Sequence, residues 1–191
     1  MQKAIKQEFE NHIITSKLTI NSISNEIESA AIICINSLKQ GGKILLFGNG
    51  GSAADAQHIA SELVGRYKVE RRGLSAIALT TDSSLLTSIS NDYDYTHVFE
   101  RQVEALAKEN DVVIGISTGG SSSNVIKGMN AAKNSGCSII GLSGRDGGDF
   151  NQICDVNIIV PDQDTPRIQE MHILIGHTIC NLIDQSFGGL T

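Results

Sequence analysis

Hydrophobic positions along the chain follow two alternating rhythms. Five short segments, 43–47, 75–80, 111–117, 137–143 and 156–160, are apolar or β-branched on consecutive positions. Strands covered on both faces read this way, because neither face alternates with water. Between them the apolar residues recur at helical spacing, and a glycine turn separates strand from helix. Repetition of that unit predicts a parallel α/β sheet over residues 42–160.

Two longer amphipathic patterns flank this core. Residues 3–39 place Ile5, Phe9, Ile13, Leu18, Ile27, Ala31, Ile35 and Leu38 at helical spacing, which predicts two helices within 1–40. Ile168, Met171, Ile175, Ile179, Leu182 and Ile183 form an apolar face on a C-terminal helix at 165–187. These helices lie outside the complete α/β unit and must bury their stripes, so a homo-oligomer is expected. The only prolines are Pro161 and Pro166, and no linker divides the chain, so residues 1–191 read as one domain.

In open parallel sheets ligands sit beyond the carboxyl ends of the strands. The loops after Phe47, Thr80, Ser117 and Ser143 are therefore the candidate positions. The first reads Gly48-Asn49-Gly50-Gly51-Ser52 and opens a helix. Glycines let backbone approach a ligand, and the helix start offers unpaired N–H groups to an anion. The spacing is neither a dinucleotide fingerprint nor a P-loop. A second loop, Ser117-Thr118-Gly119-Gly120-Ser121-Ser122-Ser123-Asn124, holds more hydroxyls than capping needs and forms a phosphate cradle without lysine.

The helix after the first loop carries His58 and Glu62 at i, i+4, on one face. An imidazole and a carboxylate are both zinc ligands. The C-terminal helix offers Gln169, Glu170, His172 and His177. At 1.5 Å per residue Gln169 and His177 lie ~12 Å apart along its axis. A shared ion would then need either a helix that begins after Gln169 or a second subunit. Spacing does not choose between His172 and His177.

Composition narrows the function further. The net charge of -6 disfavours binding to nucleic acid or anionic membrane through bulk electrostatics. Cys34, Cys137, Cys154 and Cys180 form no CxxC pair and sit among apolar residues, as reduced buried thiols do. The first residues carry no apolar signal segment, and no apolar run approaches the ~20 residues of a membrane span. A cytoplasmic protein is expected.

Five stretches resemble one family: FGNGGSAADAQHIASELVGRY, SNDYD at 90–94, GISTGGSSSNVIKG, GLSGRDGG and TPRIQEMHILIGH. Together they resemble the bacterial sedoheptulose 7-phosphate (phosphoheptose) isomerases of the sugar isomerase (SIS) superfamily, over nearly the whole chain. The resemblance implies a three-layer αβα sandwich with a five-stranded parallel sheet, flanked by long terminal helices. It implies interconversion of sedoheptulose 7-phosphate and D-glycero-D-manno-heptose 7-phosphate, the first step towards ADP-heptose for lipopolysaccharide.

It further implies a homotetramer with active sites at subunit boundaries and one Zn2+ per subunit on His58, Glu62, Gln169 and His177. Substrate contacts fall on Asn49, Gly50, Gly51, Glu62, Asn91, Asp92, Ser117, Thr118, Gly119, Ser122 and Gln169. Gly119 departs from the pattern, since many relatives carry Ser there. An aldose–ketose isomerase needs a carbon base and an oxygen acid/base, roles that fall to Glu62 and His177. A close relative of the same superfamily, the DnaA initiator-associating protein, offers the alternative of a non-catalytic scaffold.

Overall fold

A computed structural model of the chain describes residues 1–188. The strands are β1 (Ile44–Gly48), β2 (Ala76–Ala78), β3 (Val112–Ile116), β4 (Ser138–Gly144) and β5 (Val156–Val160). The helices are α1 (Gln2–Lys39), α2 (Gly51–Val64), α3 (Ser83–Asp92), α4 (Glu100–Leu106), α5 (Ser123–Asn134), α6 (Phe150–Ile153) and α7 (Thr165–Phe187). All strand pairs are parallel, in the order β2-β1-β3-β4-β5. The chain adds β2 on one side of β1 and β3 on the other. The loops after β1 and β3 therefore diverge at the switch point where such sheets bind ligands.

Successive strand residues point to opposite faces, and this builds the three layers. Ile44, Leu46, Ile114, Ile116, Ile140 and Leu142 pack with Ile27, Ala31, Ile59, Leu63, Met171 and Ile175 of α1, α2 and α7. Leu45, Phe47, Val113 and Ile139 pack with Ile89, Phe99, Val103, Val125 and Met129 on the other side. The second strand is shorter than its sequence suggests. It is an edge strand with Ile77 40% exposed, and the chain turns away after Ala78.

Within α1, Ile23 leaves helical geometry (φ -132°, ψ 21°) and divides the element into two helical segments. Ser22 Oγ donates to the Leu18 carbonyl and Ser24 Oγ to the Ile20 carbonyl, on either side of the break. Such back-bonding by serine bends helices. Ile5, Phe9, Ile13, Ile14, Leu18 and Ile20, in the first segment, are all exposed in the isolated chain.

One buried ion pair ties three parts of the chain. Asp184 of α7 and Arg71, in the segment after α2, are both buried, with Nε 2.6 Å from Oδ1. Asp184 also accepts from the backbone N–H groups of Lys68 (2.7 Å) and Val69 (3.0 Å). Arg71 in turn donates to the carbonyls of Leu63 (2.9 Å) and Glu62 (3.0 Å), the open C-terminal end of α2. Burial alone would raise the Asp184 carboxyl, but these N–H donors and the guanidinium hold it below the usual carboxylate range.

Removing one partner of a satisfied buried pair leaves a buried charge uncompensated. Arg71→Met is expected to lower unfolding free energy by about 3–5 kcal/mol. Arg101→Ala, which breaks the half-exposed Arg101–Glu104 pair, should cost less than about 1 kcal/mol. Urea titration of the two variants beside the parent chain checks both values.

Candidate active site

Helix α2 starts from the β1 loop because Gly50 takes φ +57°, a left-handed conformation natural to glycine. One helical turn separates His58 and Glu62, and Nε2 and Oε1 lie 3.3 Å apart. Helix α7 brings His177 to the same place. Its Nε2 is 3.3 Å from His58 Nε2, with the rings edge-on at 82°. Gly176 permits this approach, since a Cβ there would come within 2.5 Å of Ile59 Cδ1 on α2. The three donor atoms all lie within 4.8 Å of one another.

Two imidazoles and a carboxylate are a zinc-type donor set. Zinc bonds of ~2.0–2.1 Å arranged tetrahedrally separate their ligand atoms by roughly 3.3 Å. The His58–Glu62 and His58–His177 separations match that value and the third lies within 4.8 Å, so the cluster can close on a metal ion with a small side-chain adjustment. Burial, and then the neighbouring His58, push the His177 imidazole towards its neutral, ligating form. Asp55, one turn before His58, is a further acidic group that sequence reasoning missed. Its Oδ2 is buried with no hydrogen-bond partner among the described residues, and burial lifts the carboxyl to about 6 despite the pull of His58. The only signal for it was its i-3 spacing from His58.

The other C-terminal histidine has a different role. His172 is fully buried, and its Nε2 donates to the Ser143 carbonyl at 2.9 Å, tying α7 to β4. Burial lowers its pKa to about 4. The geometry therefore places His177, not His172, with His58 and Glu62. Helix α7 begins at Thr165 and includes Gln169, which rules out a helix that starts after it. Gln169 lies instead against the first loop, where a Cβ on Gly51 would meet its Nε2 at 2.7 Å.

The two glycine- and serine-rich loops meet across the switch point. Asn49 and Asn124 exchange amide hydrogen bonds of 2.9 and 2.8 Å. The Asn49 side chain, an expected substrate contact, is thus engaged by Asn124, the last residue of the second loop, to which sequence reasoning gave no contact role. The Ser117 and Ser122 hydroxyls are 3.0 Å apart. Ser122 is the N-cap of α5 yet makes no side-chain cap bond, so its hydroxyl is not spent on the helix. Thr118 and Gly119 are half-buried between them. Gly120 fits against Gly147, whose carbonyl oxygen would be 2.1 Å from a Cβ at 120.

Arg145, also unremarked in the sequence, flanks this second loop. Its Nη1 would lie 3.5 Å from a Cβ on Gly119, and its Nη2 donates to Thr165 Oγ1 at 3.2 Å. Asn91 and Asp92 end α3, exposed and hydrogen-bonded to each other. Among the described residues no hydrogen bond joins them to either loop.

This fold and this site define a class, and the comparisons agree with it. The SIS domain family profile matches residues 9–144, so the chain is a SIS-domain protein. It is 59% identical to the phosphoheptose isomerase of Aliarcobacter butzleri, over 96% of this chain and 97% of that one. It is 56% identical to that of Nitratiruptor, over 98% and 100%. The solved phosphoheptose isomerase GmhA of Neisseria gonorrhoeae superposes with a TM-score of 0.92 at 43% identity, covering 96% of this chain and 98% of that one. That of Francisella tularensis gives 0.93 at 36%, with the same coverage. The chain belongs to the phosphoheptose isomerase family.

His172 sets a pH dependence of stability. Unfolded, its imidazole takes a proton near pH 6.5; folded, it does so only at about 4. Between these values the unfolded state binds more protons, so stability falls as pH drops. The loss from this group amounts to about 3 kcal/mol once pH reaches the folded value. His172→Gln, which keeps a donor for Ser143, should show a flatter profile when denaturant midpoints are compared at pH 7 and pH 5.

Proposed function

We propose that the chain is an aldose–ketose isomerase acting on sedoheptulose 7-phosphate to form D-glycero-D-manno-heptose 7-phosphate. The observation that carries this reading is the layout of α2. Its N-terminal loop faces the Ser117–Ser122 cradle, and its middle turns carry His58 and Glu62 against His177. The loop that opens α2 thus borders the anion cradle, while the same helix carries the proton-transfer groups further along. At 1.5 Å per residue, Gly51 and Glu62 are ~16 Å apart along the axis.

In the reaction the Glu62 carboxylate removes the C1 proton of the ketose, and the electron pair passes to the C2 oxygen, giving an enediolate. His177 moves a proton between the two oxygens through Nδ1, the ring nitrogen turned away from the cluster. Glu62 then returns its proton to C2, leaving the C1 aldehyde, and atoms balance without any redox partner. His58, Glu62 and His177 would hold a zinc ion, one per subunit, which supplies Lewis acidity for the carbonyl oxygen. A carboxylate has two oxygens, so holding an ion with one leaves the other to accept the proton.

Gln169 is the fourth donor of this reading. It sits ~12 Å along α7 from His177, so we assign its coordinating role to a second copy of the chain. The exposed apolar residues of α1 support such an assembly, a homotetramer with sites at subunit boundaries. Ser117, Thr118, Gly119 and Ser122 take the phosphate, and Gly50, Gly51, Asn91 and Asp92 line the sugar. The absence of any helix long and apolar enough to cross a membrane among the described residues is compatible with the cytoplasmic location proposed.

Three measurements test the reading. Glu62→Gln and His177→Gln should each cut turnover of sedoheptulose 7-phosphate by about 10²-fold or more, the typical contribution of one acid–base group. Wild-type rates in both would remove the assignment. Chelation should abolish activity, and zinc alone should restore it in step with occupancy measured by elemental analysis. Arg145→Gln should raise KM about tenfold with little change in kcat, the mark of lost uniform binding.

A further inference from the structure

His177 has one unusual feature. A histidine at a metal site ordinarily donates its second ring nitrogen to a carboxylate or carbonyl, which fixes the ring plane. Here Nε2 faces His58 and Glu62, and Nδ1 has no hydrogen-bond partner among the described residues. Rotation about the Cβ–Cγ bond of histidine is broad and weakly restrained. Some other contact must set the plane.

That contact is Tyr67. Its ring stacks on His177 with centroids 5.4 Å apart and planes within 20°. Offset stacking of this kind favours one ring orientation over others. Tyr67 lies in the irregular segment between α2 and β2, where backbone alone would not hold it. Asp184 supplies the hold: its carboxylate accepts the N–H groups of the next two residues, Lys68 and Val69, and pairs with Arg71. His177 and Asp184 are seven residues apart on α7, so they share a face, ~10 Å apart along the axis. The helix that carries the histidine therefore also carries the anchor that folds Tyr67 back over it. Lys68 Nζ lies 5.0 Å from the Tyr67 ring centroid and adds a cation–π contact.

We propose that Tyr67 is a positioning residue for His177: its ring face sets the imidazole plane that aims Nε2 at His58 and Glu62, and Asp184 sets Tyr67. The inference rests on the isomerase reading only for its kinetic arm. The ring, not the hydroxyl, acts.

The test compares Tyr67→Leu, which keeps bulk without a flat face, with Tyr67→Phe. In Tyr67→Leu, kcat for sedoheptulose 7-phosphate should fall about 10–100-fold with KM within about twofold of wild type. Zinc affinity of the metal-free protein, read by competition with a chromophoric chelator, should fall by a similar factor. The His177 ring proton signals of the metal-free protein, assigned with His177→Gln, should lose their ring-current shift. Melting temperature should stay within about 2 °C of wild type. Tyr67→Phe should match wild type in all four.

Wild-type kcat and zinc affinity in Tyr67→Leu would overturn the proposal. So would a Tyr67→Phe variant as impaired as Tyr67→Leu, because the hydroxyl would then be the acting group. If wild-type protein does not turn over sedoheptulose 7-phosphate, the isomerase reading falls, while the NMR shift and the zinc competition still decide the role of Tyr67.

Discussion

The site depends on the buried pair between Arg71 and Asp184. Under the proposed mechanism helices α2 and α7 carry the chemistry, and each needs a fixed position along its axis as well as a packed face. Apolar packing of Ile59 against Gly176 sets their separation but resists sliding weakly. The ion pair adds directional bonds. Arg71 holds the carbonyls of Glu62 and Leu63 at the end of α2, while Asp184 holds the segment that leads away from it. A buried pair is a costly device for stability alone, since apolar side chains of the same volume would serve. Its value here is register: it fixes where Glu62 stands relative to His177.

The sheet order provides the second constraint. Because β1 and β3 are neighbours whose chains leave in different directions, a gap opens above them that no crossover helix covers. Both glycine- and serine-rich loops begin there. The Asn49–Asn124 exchange closes the floor of the gap and uses side chains that would otherwise compete with a ligand for the loop N–H groups. Interlocked glycines at 120 and 147 then stiffen the far wall. Rigid loops on a rigid sheet suit an enzyme that must hold the distant phosphate while protons move at the other end of the sugar.

Much of this was legible in the sequence, and the reasons are physical. Consecutive apolar residues at the strands have one interpretation once helices separate them, so the parallel sheet followed from pattern alone. His58 and Glu62 were legible because helical periodicity is local. His177 was not separable from His172 by spacing, because the distinction depends on which side of α7 meets β4, a tertiary fact. Its one local hint was Gly176, the small residue that lets two helices touch. Arg145, Asn124 and Tyr67 were invisible as site residues for a different reason. Each touches a partner 20 to 110 positions away, Thr165, Asn49 and His177 respectively. Pairings between residues so far apart in the chain leave no period in the sequence.

The same reasoning explains why the opening loop and the histidine–glutamate pair sit so close in sequence. Helix α2 rises ~1.5 Å per residue, so its 14 residues span ~20 Å, enough to run alongside an extended seven-carbon sugar phosphate. An element of that length can present backbone donors at its start and proton-transfer groups in its later turns. Between the Gly50–Gly51 loop and Glu62, on one helix, the separation is set by covalent geometry and hydrogen bonds. The Ser117–Ser122 cradle belongs to another element, and the Asn49–Asn124 exchange ties it to the start of that helix. What remains adjustable is the third group, His177, which comes from another helix, and the buried ion pair and the Tyr67 stack converge on that residue.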